Sequence, residues 1–442
     1  MVFLPTGKTE FLDCLARGGL RMPDRKAWSS RSVNAALDEL VREELLTETL
    51  ECPAPLLHPV AVDAAASAEA AMMFAGVRQA LPAQPSGSYY AFGRPSRDVQ
   101  HRLIRLAIYA NEESAFVADR ERYDKDCAPD SVIHFLAALL AGVPLADGWL
   151  ASRRPAIQSA LVEAKLLAFL STGASDADLP ALIAHSRSRQ RSDDADGIRP
   201  VLLHYDLLAV RLDDARSDIA AIAGATLDQR RAVQGAIDFL QGNNAAALDC
   251  FREALKLLRK RLGRRKVFLD GVFAVFFLMA LLRANITGLH AEIQAGLEIL
   301  LSAPSAYAGA FLAIQVLLWL VQGLEPRARE LAANLWERVP EEPLSAACVA
   351  LASHAVERNV TRKRRADLAA RFAQFQETLP LVARVYAEIL AETAETPGPY
   401  RAYLRATSPV GVAFTGLITM RQPWERALES LEAFLAPETA KP

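Results

Sequence analysis

The side chains of this sequence that could do chemistry are scattered along it. Its seven histidines are His58, His101, His134, His185, His204, His290 and His354, and all stand far apart. No HxxxH or HExxH pattern occurs, and no Cys/His pair has the spacing of metal ligands, so no metal site is expected. Asp124, Asp126 and Asp130 flank a turn but lack the pattern of a calcium loop. Asp193-Asp194 and Asp213-Asp214 are paired carboxylates in loop or cap positions, and nothing in the sequence places them in a cleft. Gly7-Lys8-Thr9 ends like a phosphate-binding loop, yet Val2 stands where that loop needs glycine and no strand precedes it. Without the glycine there is no cradle of backbone amides, and a nucleotide site is rejected. No nucleophile elbow, dinucleotide turn or ATPase motif is present. The expectation is a protein that is not an enzyme and takes no cofactor. His204, in LLHYDLL on an apolar helix, reads as a buried histidine satisfied by a partner.

Two basic clusters remain as candidate binding features. One is Arg259, Lys260, Arg261, Arg264, Arg265 and Lys266; the other is Arg358, Arg362, Lys363, Arg364 and Arg365. They stand out because the whole chain is nearly neutral, with 50 basic and 52 acidic residues and a net charge of −2. Such clusters can hold nucleic-acid phosphates or an acidic protein. They can equally be solvated residues at helix ends, where cations complement the helix dipole.

The elements that would position these groups are helices. Hydrophobic residues make up 52% and aromatics only 7% of the 442 residues, which favours helices packed through small side chains. That length predicts two or three units. Five scattered cysteines (Cys14, Cys52, Cys127, Cys250, Cys348) with no CxxC point to a reducing, cytoplasmic setting. The start, MVFLPTGKTEF, has no apolar core of signal-peptide length. The apolar stretches Gly271 to Leu282 and Ala306 to Val321 are expected to be buried helices, since a membrane span needs ~20 residues; no membrane partner is expected.

Residues 1–62 form the first expected domain. Phe11, Leu12 and Leu15 share one helical face, and Ser29 or Ser30 can cap a second helix whose stripe is Val33, Ala36, Leu37, Leu40 and Val41. The residues from Glu43 to Leu50 turn towards alternation, and Leu56 to Val62 offers a second short apolar run. The phrase SSRSVNAALDELVREELLTE resembles the recognition helix and wing of winged-helix proteins. That resemblance implies a polar helix start facing DNA, here Ser30, Arg31 and Asn34 with Arg25 and Lys26 just before. Glu43, Glu44, Glu48 and Glu51 oppose it on the wing side, so a protein-docking role stays open.

Residues 63–225 read as a helical connector and degenerate helix pairs: an Ala-rich helix over 63–81, a Pro/Gly/Ser boundary at 82–95, then helical stripes. Residues 226–405 read as an α-solenoid, and 406–442 as a capping helix and tail. Within the solenoid, Gly235, Gly242, Ala247, Phe251 and Ala254 resemble the small and aromatic positions of a tetratricopeptide helix pair. The match departs at Arg231, Asp238 and Asn244, where aromatics are usual. The segment from Gly242 to Leu282 also resembles the helical region before the motor of some bacterial Snf-type helicases. The resemblances imply a non-catalytic adaptor for nucleic-acid machinery, with a protein partner on the helical repeats and DNA at the N-terminal module and basic clusters. The alternative is a cytoplasmic transcription regulator whose helical repeats sense a ligand or peptide.

Overall fold

A computed structural model describes residues 30–43, 54–67, 70–81, 97–126, 131–140, 148–173, 179–189, 198–222, 224–284, 287–357 and 360–407. Among the described residues there are 20 α-helices and no strand. This is compatible with a helical-repeat fold. The chain divides into two compact units, residues 1–169 with 176–198, and residues 170–175 with 199–442.

The first unit opens with α1 (Ser30–Arg42). Leu37 is buried, and Leu40 and Val41 pack on the same core, as the predicted stripe requires. The expected first helix, Trp28 and the residues 44–50 of the predicted wing lie outside the described residues. The second wing run does not form a strand: Leu56 to Val62 lies within α2 (Ala54–Ala66). Pro55 suits the first turn of a helix, and the alanines from Ala64 to Ala66 extend a helix, so a short apolar run that could be either element becomes helical. Pro59 removes one backbone donor without ending it. The Ala-rich helix expected over 63–81 is divided instead between α2 and α3 (Ala70–Ala80).

α4 (Arg97–Tyr109) and α5 (Glu113–Asp126) form a hairpin around Asn111, which adopts φ 57°. Asp124 Oδ1 accepts the backbone N–H of Val132 at 2.8 Å and so ties α5 to the start of α6 (Val132–Leu140). α7 (Pro155–Thr172) and α8 (Leu179–Arg189) follow. Ile104, Phe116, Tyr123, Leu136 and Ile157 are fully buried together in the core.

The second unit holds most of α9 (Ile198–Leu208), then α10 (Leu212–Ala221), α11 (Leu227–Leu240), α12 (Asn244–Leu262) and α13 (Gly271–Ala284). α14 (His290–Leu300), α15 (Ala308–Val321), α16 (Glu325–Glu337), α17 (Pro343–Val356), α18 (Arg362–Phe375), α19 (Pro380–Thr393) and α20 (Gly398–Ala406) complete it. From α10 onward each helix packs on the next or the next but one. The line α11, α13, α15, α17, α19 runs by direct contact from one member to the next. Of these, α13, α15, α17 and α19 are buried along most of their length. Their partners α14, α16 and α18 bury only a thin stripe, such as Ala328, Ala332 and Leu335 on α16. A helix apolar all round must be covered on every side, whereas one with a single apolar face needs one neighbour. That difference sorts the helices into an inner line and outer partners. The inner helices from α13 onward start 37, 35 and 37 residues apart.

The α11–α12 pair is where the tetratricopeptide resemblance sits. Gly235 of α11 abuts the ring of Phe251, and Ala247, Phe251 and Ala254 of α12 are fully buried. Polar pairs occupy the departing positions. Arg231 meets Glu253 at 3.0 Å, Asp238 accepts from Gln234 at 3.1 Å, and Asn244 Nδ2 donates to the carbonyl of Ala280 at 3.1 Å. The expected capping helix beyond residue 407 lies outside the described residues. Within them, Arg384 of α19 donates to the carbonyls of Leu404 and Thr407 and so satisfies the end of α20.

No single helix is long and apolar enough to cross a membrane among the described residues. The stretches His58–Ala66 and Ala70–Gln79 reach that length only together, across a 117° bend.

Candidate functional site

The first basic cluster forms an elbow between α12 and α13. α12 ends at Gly263, whose φ of 63° is the left-handed conformation that stops a helix cleanly. Arg259 Nε donates to the carbonyl of Val267 at 3.2 Å, closing the elbow on itself. Arg261 forms a two-pronged pair with Asp228 at the start of α11, at 3.2 and 3.0 Å. Burial opposes the Asp228 charge, but hydrogen bonds from Arg261, Thr226 and its own backbone N–H hold its carboxyl below the usual range. Arg259 and Arg261 therefore brace the elbow. Lys260, Arg264, Arg265 and Lys266 are exposed, and none makes an ion pair among the described residues. Arg259, Lys260 and Arg261 lie in the last turn of α12, where cations complement the dipole as expected.

The second cluster sits at the opposite kind of helix end. Arg362, Lys363, Arg364 and Arg365 occupy the first turn of α18, where cations oppose the dipole. Arg358 lies outside the described residues. The Thr361 hydroxyl accepts the Arg364 backbone N–H at 3.3 Å and caps the turn. Arg364 pairs with Glu357 at 2.6 Å and stacks 4.8 Å from the Trp336 ring. Arg365 donates to the carbonyl of Thr393 at 3.1 Å. Local partners thus repay the dipole cost for two of the four, while Arg362 and Lys363 stay exposed. On α1, Arg31 and Asn34 are both exposed; Ser30 begins that helix, and Arg25 and Lys26 lie outside the described residues.

Among the described residues, four of the seven histidines contact aromatic or acidic side chains. His58 Nδ1 lies 2.9 Å from the Tyr109 hydroxyl, with the Trp149 ring edge-on to it. His101 meets the Tyr123 hydroxyl at 2.9 Å and stacks on Phe135 at 3.8 Å between centroids. His354 pairs with Glu392 at 3.0 Å. His204 has the partner its apolar helix demanded: Nε2 lies 2.7 Å from the Tyr307 hydroxyl. Burial pulls the His204 pKa down to about 4, so its ring is neutral at pH 7. Burial, with the nearby Glu342 carboxylate, pushes the Tyr307 hydroxyl well above its ordinary value. Glu342 itself is buried as the cap of α17, accepting from the backbone N–H groups of Leu344 at 3.0 Å and Ser345 at 2.6 Å. Burial raises its pKa above the carboxylate norm despite those bonds.

His204 and Tyr307 also line a cleft of about 330 Å³ with Leu203, Ile219, Val233, Phe273 and Asp270. Among the described residues, no group of three or more His, Cys, Asp or Glu side chains is arranged to hold a metal ion. Sequence reasoning did not find Tyr307, Glu342, Trp336 or Asp270. The Asp228–Arg261 pair did leave a signal: in a two-helix hairpin, the first turn of one helix faces the last turn of the other. No protein-family model matches the chain, and no curated protein or solved structure matches it.

Proposed function

We propose that this chain is a non-catalytic interaction protein, an α-solenoid of helix pairs that carries an anionic partner on its basic elbow. Nucleic acid, or a protein of nucleic-acid machinery, is the partner this reading favours. The observation that supports it is the division of labour within one cluster. Arg259 and Arg261 are spent on holding the elbow rigid, and Lys260, Arg264, Arg265 and Lys266 are left facing solvent without ion pairs among the described residues. Cations held on a fixed frame lose less freedom when they meet phosphates than cations on a loose loop. Arg31 and Asn34 on the exposed side of α1 would add a base-reading contact if the N-terminal module is of winged-helix type. The resemblance to the region preceding a helicase motor fits the same role, an accessory arm beside an ATPase.

An electrophoretic shift assay with duplex and single-stranded DNA over a salt series tests this. Binding is expected to weaken steeply with salt. Replacing Lys260, Arg264, Arg265 and Lys266 with alanine should flatten the slope by about 0.9 per duplex phosphate contact removed. Replacing Arg31 and Asn34 should change sequence preference more than salt slope. Absence of any shift at low salt overturns the nucleic-acid half of the reading.

A further inference from the structure

We infer that the cleft between α9, α10, α11 and α13 is a binding site for a small amphipathic amine, an ammonium group on an apolar body. The site goes beyond the adaptor reading and stands or falls separately from it. It is also the kind of site that a ligand-sensing regulator would need.

Ligand pockets are concave, mostly apolar and furnished with a few fixed polar groups. This cleft has that character. Its walls are Leu203 of α9, Ile219 of α10, Val233 of α11, and Val272 and Phe273 of α13. Its volume of about 330 Å³ lies at the lower end of small-molecule pockets, about 300–1,000 Å³, enough for a short alkyl or arylalkyl chain. The polar groups within it are held in place. His204 is locked to Tyr307 at 2.7 Å and is uncharged at neutral pH. Gln229 is fastened by the capping box of α11, its Oε1 accepting from the backbone N–H of Thr226 at 2.9 Å.

The charge of the lining decides the ligand class. Among the described residues, Asp270 is the one charged residue lining the cleft, and no lysine or arginine lines it. Asp270 is exposed and makes no ion pair among the described residues. An anion entering here would meet a carboxylate and find no cation. A neutral molecule would leave that carboxylate in water. A cation with an apolar tail satisfies both surfaces at once, its tail against Leu203, Ile219 and Val233 and its ammonium at the Asp270 carboxylate.

Isothermal titration of the full chain with n-octylamine, n-octanol and n-octanoate reads this directly. Octylamine is expected to bind tightest and octanoate weakest. Asp270→Asn should lower octylamine affinity about ten-fold and leave octanol unchanged. Ile219→Trp, which fills the cleft from a partly exposed position, should weaken both. Asp270 is exposed, so the D270N comparison holds even if I219W does not fold. Octanoate binding as tightly as octylamine, equal octylamine affinity in D270N, or no heat from octylamine at all would each overturn the assignment.

Discussion

Replacing Gly235 by alanine sets two well-measured effects against each other. Gly235 lies inside α11, and alanine in a helix interior is worth about 1 kcal/mol over glycine. On propensity alone the variant should be more stable. The structure predicts the reverse. A Cβ at this position would lie 2.9, 3.0 and 3.1 Å from three atoms of the Phe251 ring, too close for carbon. The ring cannot swing away. Phe251 is fully buried and stacked on Phe277 at 5.3 Å, which is itself stacked on Phe268 at 5.3 Å. Forcing one extra methyl into a packed core costs about 1–3 kcal/mol. The net expectation is a loss of up to about 2 kcal/mol after the helix gain is subtracted. Urea denaturation followed by circular dichroism measures it, with an unchanged slope showing that only stability moved. Phe251→Leu gives the second half of a double-mutant cycle. Trimming the ring should relieve the clash, so the double variant should be less destabilised than the sum of the singles by about 0.5 kcal/mol or more. A more stable Gly235→Ala protein, or strict additivity, would show that the α11–α12 crossing is looser than described. That outcome would also weaken the case for a rigid elbow, because α12 carries the elbow at its far end.

Three further outcomes follow from the buried polar groups. Tyr307→Phe leaves the His204 ring without its partner and should cost about 1–3 kcal/mol in denaturation midpoint terms, whereas Tyr400→Phe on the surface-lying α20 should cost little. Glu163 is held by burial at a pKa of about 7, above its ordinary 4.5, with Arg120 at 3.9 Å opposing the shift and Asp124 reinforcing it. A raised folded pKa means that this group's contribution is fully present below about 4.5 and lost as pH rises through about 7. Glu163→Gln should therefore gain on the native protein by up to about 3 kcal/mol between those limits in melting curves taken across the range; a parallel pair of curves counts against it. Arg364→Ala removes both the Glu357 pair and the Trp336 stack and should destabilise by about 1–2 kcal/mol, while Arg362→Ala, on an exposed side chain, should change thermal unfolding by less than about 0.5 kcal/mol.

How much of this was legible in the sequence depends on whether the signal was local. The helical class, the buried apolar segments at 271–284 and 308–321, and the Gly235–Phe251 contact all follow from spacing within a few turns. The fate of Leu56 to Val62 did not, because a short apolar run reads as strand or helix until its flanks decide. The period of the inner helices was hidden for a related reason. α13, α15 and α17 are apolar on all faces, so they carry no amphipathic rhythm to align. The positions that mark a tetratricopeptide unit hold Arg231 and Asp238, which instead make polar pairs with Glu253 and Gln234. The His204–Tyr307 contact joins residues 103 apart, beyond any local pattern.

The basic elbow shows the same limit at the scale of single side chains. In sequence, Arg259, Lys260, Arg261, Arg264, Arg265 and Lys266 are six equivalent cations. Folding makes them unequal through helix register alone. α12 ends where Arg261 faces the first turn of α11, whose Asp228 is kept charged by hydrogen bonds, and there a salt bridge forms. Gly263 then ends the helix, and Arg259 meets the carbonyl of Val267 on the segment that leads into α13. The residues between these two braces have nowhere to turn but solvent. A charge run therefore measures binding capacity only after its structural members are subtracted, and which members those are is decided by the helix it ends. For this reason Arg261→Ala should weaken any anion binding at the elbow through loss of the frame, and restoring the pair with Arg261→Lys should recover the fold better than the two-pronged geometry.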